Sequence, residues 1–381
     1  MDTIFGQLFN KRLVEFFASF LVFLSIPPYF VWGYNYLQLF IICLFLFLSF
    51  SLNKQITKQN FLFCLIMFCL YSYFAFRDGK NLIGISATGL LCFILLFPAD
   101  YLSRIVDKFA MIYSIFMIPS IIVYVIVVIL GISLPSQTIP PLNTLKDYYY
   151  IQYPFLLVPS GFIGEMFRFE AIYDEPGVVG TISGILLLLR GLNLKKWDTY
   201  PILISGILSL SLAFYLMLFT YVLFFQSIKA KMVTITTLIV FAFYFYNNEF
   251  VNERLFERLK IENGQLVGVN RTTGTIDSFM NTYVTSEKFW WGYGEKYAQR
   301  VVNRGGASYK DLIVDYGILG FSLFVLITLI KGIKELGMSR MFVIFLIIFI
   351  FIVYQRPFIF SLIYFFLIYT SIFYLKKLNS H

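Results

Sequence analysis

Histidine is all but missing from this 381-residue chain: the single one is His381. Histidine acid–base catalysis and histidine-based metal sites are therefore all but excluded. Charge is also scarce, with 13% Asp, Glu, Lys and Arg against roughly 25% in an ordinary soluble domain. The four cysteines, Cys43, Cys64, Cys69 and Cys92, lie inside apolar runs. They read as small buried hydrophobes, neither disulfides nor metal ligands. There is no DxD-type triplet, and with so little histidine no metal site is expected. The net charge of +9 is spread in ones, twos and threes between apolar runs. No basic patch interleaved with aromatics stands in a soluble segment, which argues against a nucleic-acid partner.

What is abundant is grease. Hydrophobic residues make up 59% of the chain, with 46 Phe and 27 Tyr. Runs such as LQLFIICLFLFLSF and MFVIFLIIFIFIVY have no polar face. Water could not cover that pattern, whereas lipid requires it, so the expected partner is a bilayer and the expected class an all-α polytopic membrane protein. Lys11 and Arg12 precede a long apolar run without a small-residue cleavage site, and this reads as a first span that is kept. Spans are expected near 13–31, 35–52, 60–76, 82–97, 109–131, 176–190, 199–211, 212–228, 232–247, 312–330, 341–354 and 357–375.

The stretch 199–228 is long for one span and short for two. With two passes there, every second connection carries basic residues: Lys54/Lys58, Arg104/Lys108, Arg190/Lys195/Lys196, Lys229/Lys231 and Lys331/Lys334/Arg340. The positive-inside rule then selects about twelve spans with both termini cytoplasmic, all within one membrane domain, 1–381. Two long segments, 132–175 and 248–311, fall on the outer face, and long ordered loops are usually functional.

Arg168, Glu170, Asp174 and Glu175 crowd the end of the first loop, RFEAIYDEPGVVG, just before an apolar run. Several carboxylates near one arginine at a membrane boundary should raise at least one carboxyl pKa, which suits a general base. Asp174 and Glu175 with Pro176 at the first helical position also fit a capping device, and the two roles are compatible. In the second loop, VNERLFERLK and TGTIDSFMNTYV each place apolar residues at helical spacing, the latter at Ile276, Phe279, Met280 and Tyr283. Arg271 stands just before that helix, beside the N-cap candidates Thr272 and Thr273, an arrangement suited to anions or to a salt bridge with a loop acid. Trp290/Trp291 and the tyrosines at 148–153, Tyr149 and Tyr150 among them, could stack on sugar rings or mark the membrane interface. Gly292 and Gly294 in WWGYGEKY read as a tight turn; a lone GxG is no nucleotide motif.

The order of these features resembles the bacterial O-antigen polymerases of the Wzy type, within the wider polymerase/ligase family. It rests on R-x6-EPG-x2-G (Arg168, Glu175, Pro176, Gly177, Gly180), then NR-x-TG (Asn270, Arg271, Gly274), the aromatic-GYG turn ending at Gly294, and SYKDLIVDYGILG from Ser308 to Gly320. The resemblance implies a GT-C-like glycosyltransferase of the bacterial inner membrane that needs neither metal nor cofactor. It would take an oligosaccharide from undecaprenyl pyrophosphate and join it to another lipid-linked unit on the periplasmic face, with a chain-length regulator as a further partner. Arg168 and Arg271 match the family's two important loop arginines, Glu175 or Glu170 would be the base, and Tyr149, Tyr150, Asp174, Arg304 and Tyr309 would contact substrate. Where ligases carry a histidine, in an HNSY-like motif, this chain has Gly306 in GASY. Polymerase is therefore expected ahead of ligase, and both ahead of a lipid-linked oligosaccharide transporter.

Overall fold

A computed structural model describes residues 11–34, 36–53, 56–77, 88–142, 148–162, 167–229, 274–294, 297–302, 308–355 and 359–379, with a few isolated residues and short strands between them. The described chain is mostly helical. Lys58–Arg77, Ala99–Ile129 and Tyr309–Leu336 are long and apolar enough to cross a membrane. Large apolar side chains point outward along the helices, among them Phe40, Phe47, Phe61, Leu62 and Phe76. An exterior of that kind suits lipid and would be a liability in water. Of the cysteines, Cys64 and Cys92 are buried as expected, but Cys43 and Cys69 lie on the exposed helix surfaces.

The chain divides into two compact units: Met1–Ile112 with Thr272–His381, and Tyr113–Arg271. The first unit contains α1 (Lys11–Leu24), α2 (Leu37–Leu52), α3 (Lys58–Arg77) and the start of α4 (Ala99–Tyr124). The second contains the rest of α4, then α5 (Pro176–Arg190), α6 (Thr199–Leu208) and α7 (Leu212–Phe225). The first unit resumes with α8 (Gly274–Tyr283), α9 (Lys288–Trp291), α10 (Tyr309–Leu336), α11 (Arg340–Gln355) and α12 (Leu362–Asn379). Of the span expected at 82–97, the described part holds a 3-10 helix, Leu91–Leu96. The span at 232–247 and the loop helix at 251–260 lie outside the described residues.

In the first unit, the connections that carry basic residues meet at one end of the helices. Glu15 pairs with Arg104 (2.8 Å) and Lys108 (2.9 Å), and Lys108 also donates to the Arg12 carbonyl at 2.8 Å. Glu335 pairs with Lys331 and Lys376, both at 2.7 Å, and accepts from Gln59 at 2.9 Å. Tyr374 donates to Asp107, linking the two groups. Alternate connections gathering at one end is what an up-and-down helical bundle requires.

The stretch 199–228, where two passes were expected, holds two helices, both short of a full crossing. The 10 residues of α6 rise only about 15 Å, half the hydrocarbon thickness. The chain breaks at Ser209–Ser211, where Leu210 takes φ +44°, a costly region for a residue with a side chain. The first loop also holds what an all-α reading did not anticipate: an antiparallel sheet of β1 (Gln137–Ile139), β2 (Tyr150–Tyr153) and β3 (Leu156–Pro159), in that spatial order.

Candidate functional site

The segment Phe167–Glu175 has no helix or strand of its own, so its backbone groups must find partners elsewhere. The sheet and the α6–α7 break supply them. Tyr124 donates its hydroxyl to the Phe167 carbonyl at 2.6 Å, and the Leu157 N–H on β3 donates to the Ala171 carbonyl at 2.8 Å. On its other side the segment meets the last turn of α6. A helix ends with carbonyls that have no intrahelical donor. Here the Phe169 N–H donates to the Leu208 carbonyl at 3.1 Å, and Arg168 Nε donates to the Ser209 carbonyl at 3.0 Å. That bond ties the guanidinium to the break and leaves its two amino groups for other acceptors.

The rest of the R-x6-EPG-x2-G motif follows from the same packing. Glu175 is the N-cap of α5, extended at φ −152° and ψ 134°, and Pro176 follows at the first helical position. The Glu175 carboxylate makes no capping bond, so the capping role expected of it falls to backbone geometry. Gly180 lets α5 approach the break closely: a Cβ there would lie 2.2 Å from Ser211 Cβ and 2.8 Å from Ser209 Oγ. The motif is thus the inner surface of one substructure, in which loop, helix start and helix break fit each other.

Arg168, Glu170, Asp174 and Glu175 thus share one segment, held between the sheet and the α6–α7 break. Glu170 is buried, while Arg168, Asp174 and Glu175 are half-buried. Tyr150 joins them from β2, fully buried, its hydroxyl donating to the Asp174 carbonyl at 2.6 Å. Burial raises the Tyr150 hydroxyl pKa, and the nearby carboxylates of Glu170 and Asp174 and the hydrogen bond with Tyr148 raise it further. In that position it cannot offer a ring face to a sugar, and it reads as a strut under the acidic segment. Tyr149 beside it is exposed and can.

The described part of the second loop lies in the other unit. The helix expected from TGTIDSFMNTYV runs Gly274–Tyr283; Ile276 and Tyr283 are buried, and Phe279 and Met280 pack on the same core. Tyr309 stacks on Tyr354 at 5.8 Å, near the start of α10. Ser308 and Asp311 form a capping box there, and Asp315 Oδ1 accepts from the Ala298 N–H at 2.9 Å. The SYKDLIVDYG stretch thus fastens the loop to the helix. Lys310 pairs with Asp277 across the same seam. The WWGYG turn is as tight as expected, with Gly292 at φ +78° and Gly294 at φ +104°. Arg271, Arg304, Thr272, Thr273 and Gly306 lie outside the described residues.

Two contributors went unread in the sequence. The helix break at Ser209–Ser211 had only one signal, a Ser-Leu-Ser interruption in an apolar run of awkward length. Arg77 had none: it donates to the carbonyls of Trp291 (3.1 Å) and Gly292 (2.8 Å), more than 200 residues away in sequence. No family model matches the chain, and no curated protein or solved structure matches it either.

Proposed function

We propose that this chain is a polysaccharide polymerase of the bacterial inner membrane. It joins oligosaccharide repeat units carried on undecaprenyl pyrophosphate, at the periplasmic face, for O-antigen or a related surface glycan. In this reading about twelve spans place both termini in the cytoplasm. The observation that carries the proposal is Arg168, bound through Nε to the α6–α7 break, in a segment that bears three carboxylates and ends at the start of an apolar helix.

The chemistry fits such a group. Glycosyl transfer from a polyprenyl pyrophosphate releases the pyrophosphate, so negative charge grows at the leaving oxygen beside the membrane surface. A guanidinium already held in place stabilises that charge more than it stabilises the bound substrate. Arg168 and Arg271 take the pyrophosphate, and Glu175 or Glu170 removes the proton from the acceptor hydroxyl. Glu175 is the more accessible of the two acids. Asp174 and Tyr149 complete the substrate contacts. No cofactor and no metal has a part in these steps.

The test is surface-glycan analysis in a strain lacking the protein and complemented with variants. The deletion should leave a single capped repeat unit, and Arg168→Ala should lower polymer synthesis on the order of 100-fold. Absent surface polymer with accumulated lipid-linked chains would point to a ligase instead. Full polymer from both Arg168→Ala and Arg271→Ala would sink the assignment. The broken α6–α7 pair favours a second reading, a transporter of lipid-linked oligosaccharide, because discontinuous helices commonly form transport sites. Purified protein that forms polymer from lipid-linked units without an ion gradient would rule that reading out.

A further inference from the structure

Helix α10 is too long for the membrane it would cross. Its 28 residues rise about 42 Å, against about 30 Å of hydrocarbon. The helix resolves this itself. At Gly317 the backbone turns to φ +72°, and from there to Leu336 is roughly 30 Å, one membrane thickness. Beyond the kink an exposed apolar stripe begins, Leu319, Leu323, Leu326 and Ile330, at helical spacing along one face. Before the kink, residues 309–316 pack against α8 and α9 instead.

Helix α3 ends at the same level. Its 20 residues also rise about 30 Å, and its last residue, Arg77, donates to the Trp291 and Gly292 carbonyls. The turn that receives Arg77 also touches the kink: a Cβ on Gly317 would lie 2.3 Å from the Trp290 carbonyl oxygen, and one on Gly292 would lie 2.3 Å from that of Asp315. The ends of two membrane-length segments thus fix the height of the Trp290–Trp291 turn. At that height the two indoles are 54% and 53% exposed, and Phe76, beside Arg77, is 74% exposed.

We infer that Trp290 and Trp291 seat in the bilayer between the phospholipid headgroups and the acyl chains, pinning the second loop to the membrane boundary. An indole has an apolar body and one N–H donor, which suits that layer better than water or hydrocarbon. The partner is the lipid itself, and the inference stands independently of the polymerase reading.

The chain has four tryptophans, Trp32, Trp197, Trp290 and Trp291, so fluorescence can report on this pair. The full-length protein with Trp32→Phe and Trp197→Phe is reconstituted in phosphatidylcholine vesicles brominated either near the headgroup or near the chain ends. The expected result is a larger loss of emission with the shallow bromines and little loss to iodide in the water. Strong quenching by iodide with none by either lipid would place the turn in water and overturn the inference. Stronger quenching by the deep bromines would overturn it as well. A second protein, Trp290→Phe with Trp291→Phe, gives the same answer by difference from the unmodified chain: the shallow-quenched component should disappear.

Discussion

Replacing Gly180 with alanine puts a methyl carbon where α5 meets the helix break. It would stand 2.2 Å from Ser211 Cβ, 2.7 Å from Ser211 Oγ and 2.8 Å from Ser209 Oγ. The hydroxyls can rotate away, but Ser211 Cβ is bonded to the backbone and cannot. Relief therefore requires α5 and the break to part by an ångström or more. Overpacking of this kind costs about 1–3 kcal/mol of stability. The functional cost should exceed the structural one, because the Ser209 carbonyl that holds Arg168 Nε belongs to the part that moves. A misplacement of about 1 Å in a reacting group can lower a rate on the order of 100-fold. Ser211 makes no side-chain capping bond and has φ −90°, ψ 120°, so glycine is tolerated there. Gly180→Ala should therefore fold, lower polymer length and amount in a complemented deletion strain, and recover substantially when combined with Ser211→Gly. Thermal unfolding in detergent separates the two costs. Wild-type polymer from Gly180→Ala alone, or no recovery at all in the double variant, would refute the reasoning.

Four further outcomes follow from other contacts. Gly317→Ala should be harsher than Gly180→Ala, because its Cβ meets a backbone oxygen at 2.3 Å and its φ of +72° strains any side chain; membrane abundance and thermal midpoint should both fall. Tyr150→Phe leaves the Asp174 carbonyl without its donor and should cost about 1–2 kcal/mol by thermal unfolding. Its pKa gives this a pH signature: the folded protein keeps the phenolic proton above pH ~10, where the unfolded chain loses it. The wild type should thus lose stability faster than the variant as pH rises past that point, and behave in parallel with it below. The buried pair Arg190–Asp198, with side chains 7% and 8% exposed, should cost about 3–5 kcal/mol when Arg190 is replaced by alanine. Lys310→Ala should cost under about 1 kcal/mol, its pair with Asp277 being more exposed; equal losses would contradict this ranking.

The apolar spans, the helix Gly274–Tyr283 and the WWGYG turn could be read directly, because periodicity and glycine placement are local signals. The helix break could not. Leu210 adopts a left-handed backbone that nothing in its own side chain favours, held there by α5 and by the Arg168–Phe169 bonds. The sheet was hidden for a related reason: strands of three or four residues are too short to show alternation, and their tyrosines read equally well as interface markers. At the site, the charges of Arg168 and its acids drew attention at once. Their geometry did not, because it is set by carbonyls of Leu208 and Ser209 that carry no sequence signal. Tyr150 shows the converse, a residue chosen for its chemistry whose hydroxyl proves to be a strut.

The cluster of Tyr283, Ala298, Ile313 and Val314 has a consequence for how the protein is made. Half of that core comes from α10, which leaves the ribosome after the loop segment it stabilises. The segment 274–302 therefore lacks half of its core until the next helix arrives to complete it. Synthesised as a peptide, it should stay unfolded in water, and a chain truncated before Ile313 should leave the segment open to protease. Folding of this segment waits on the helix that follows it.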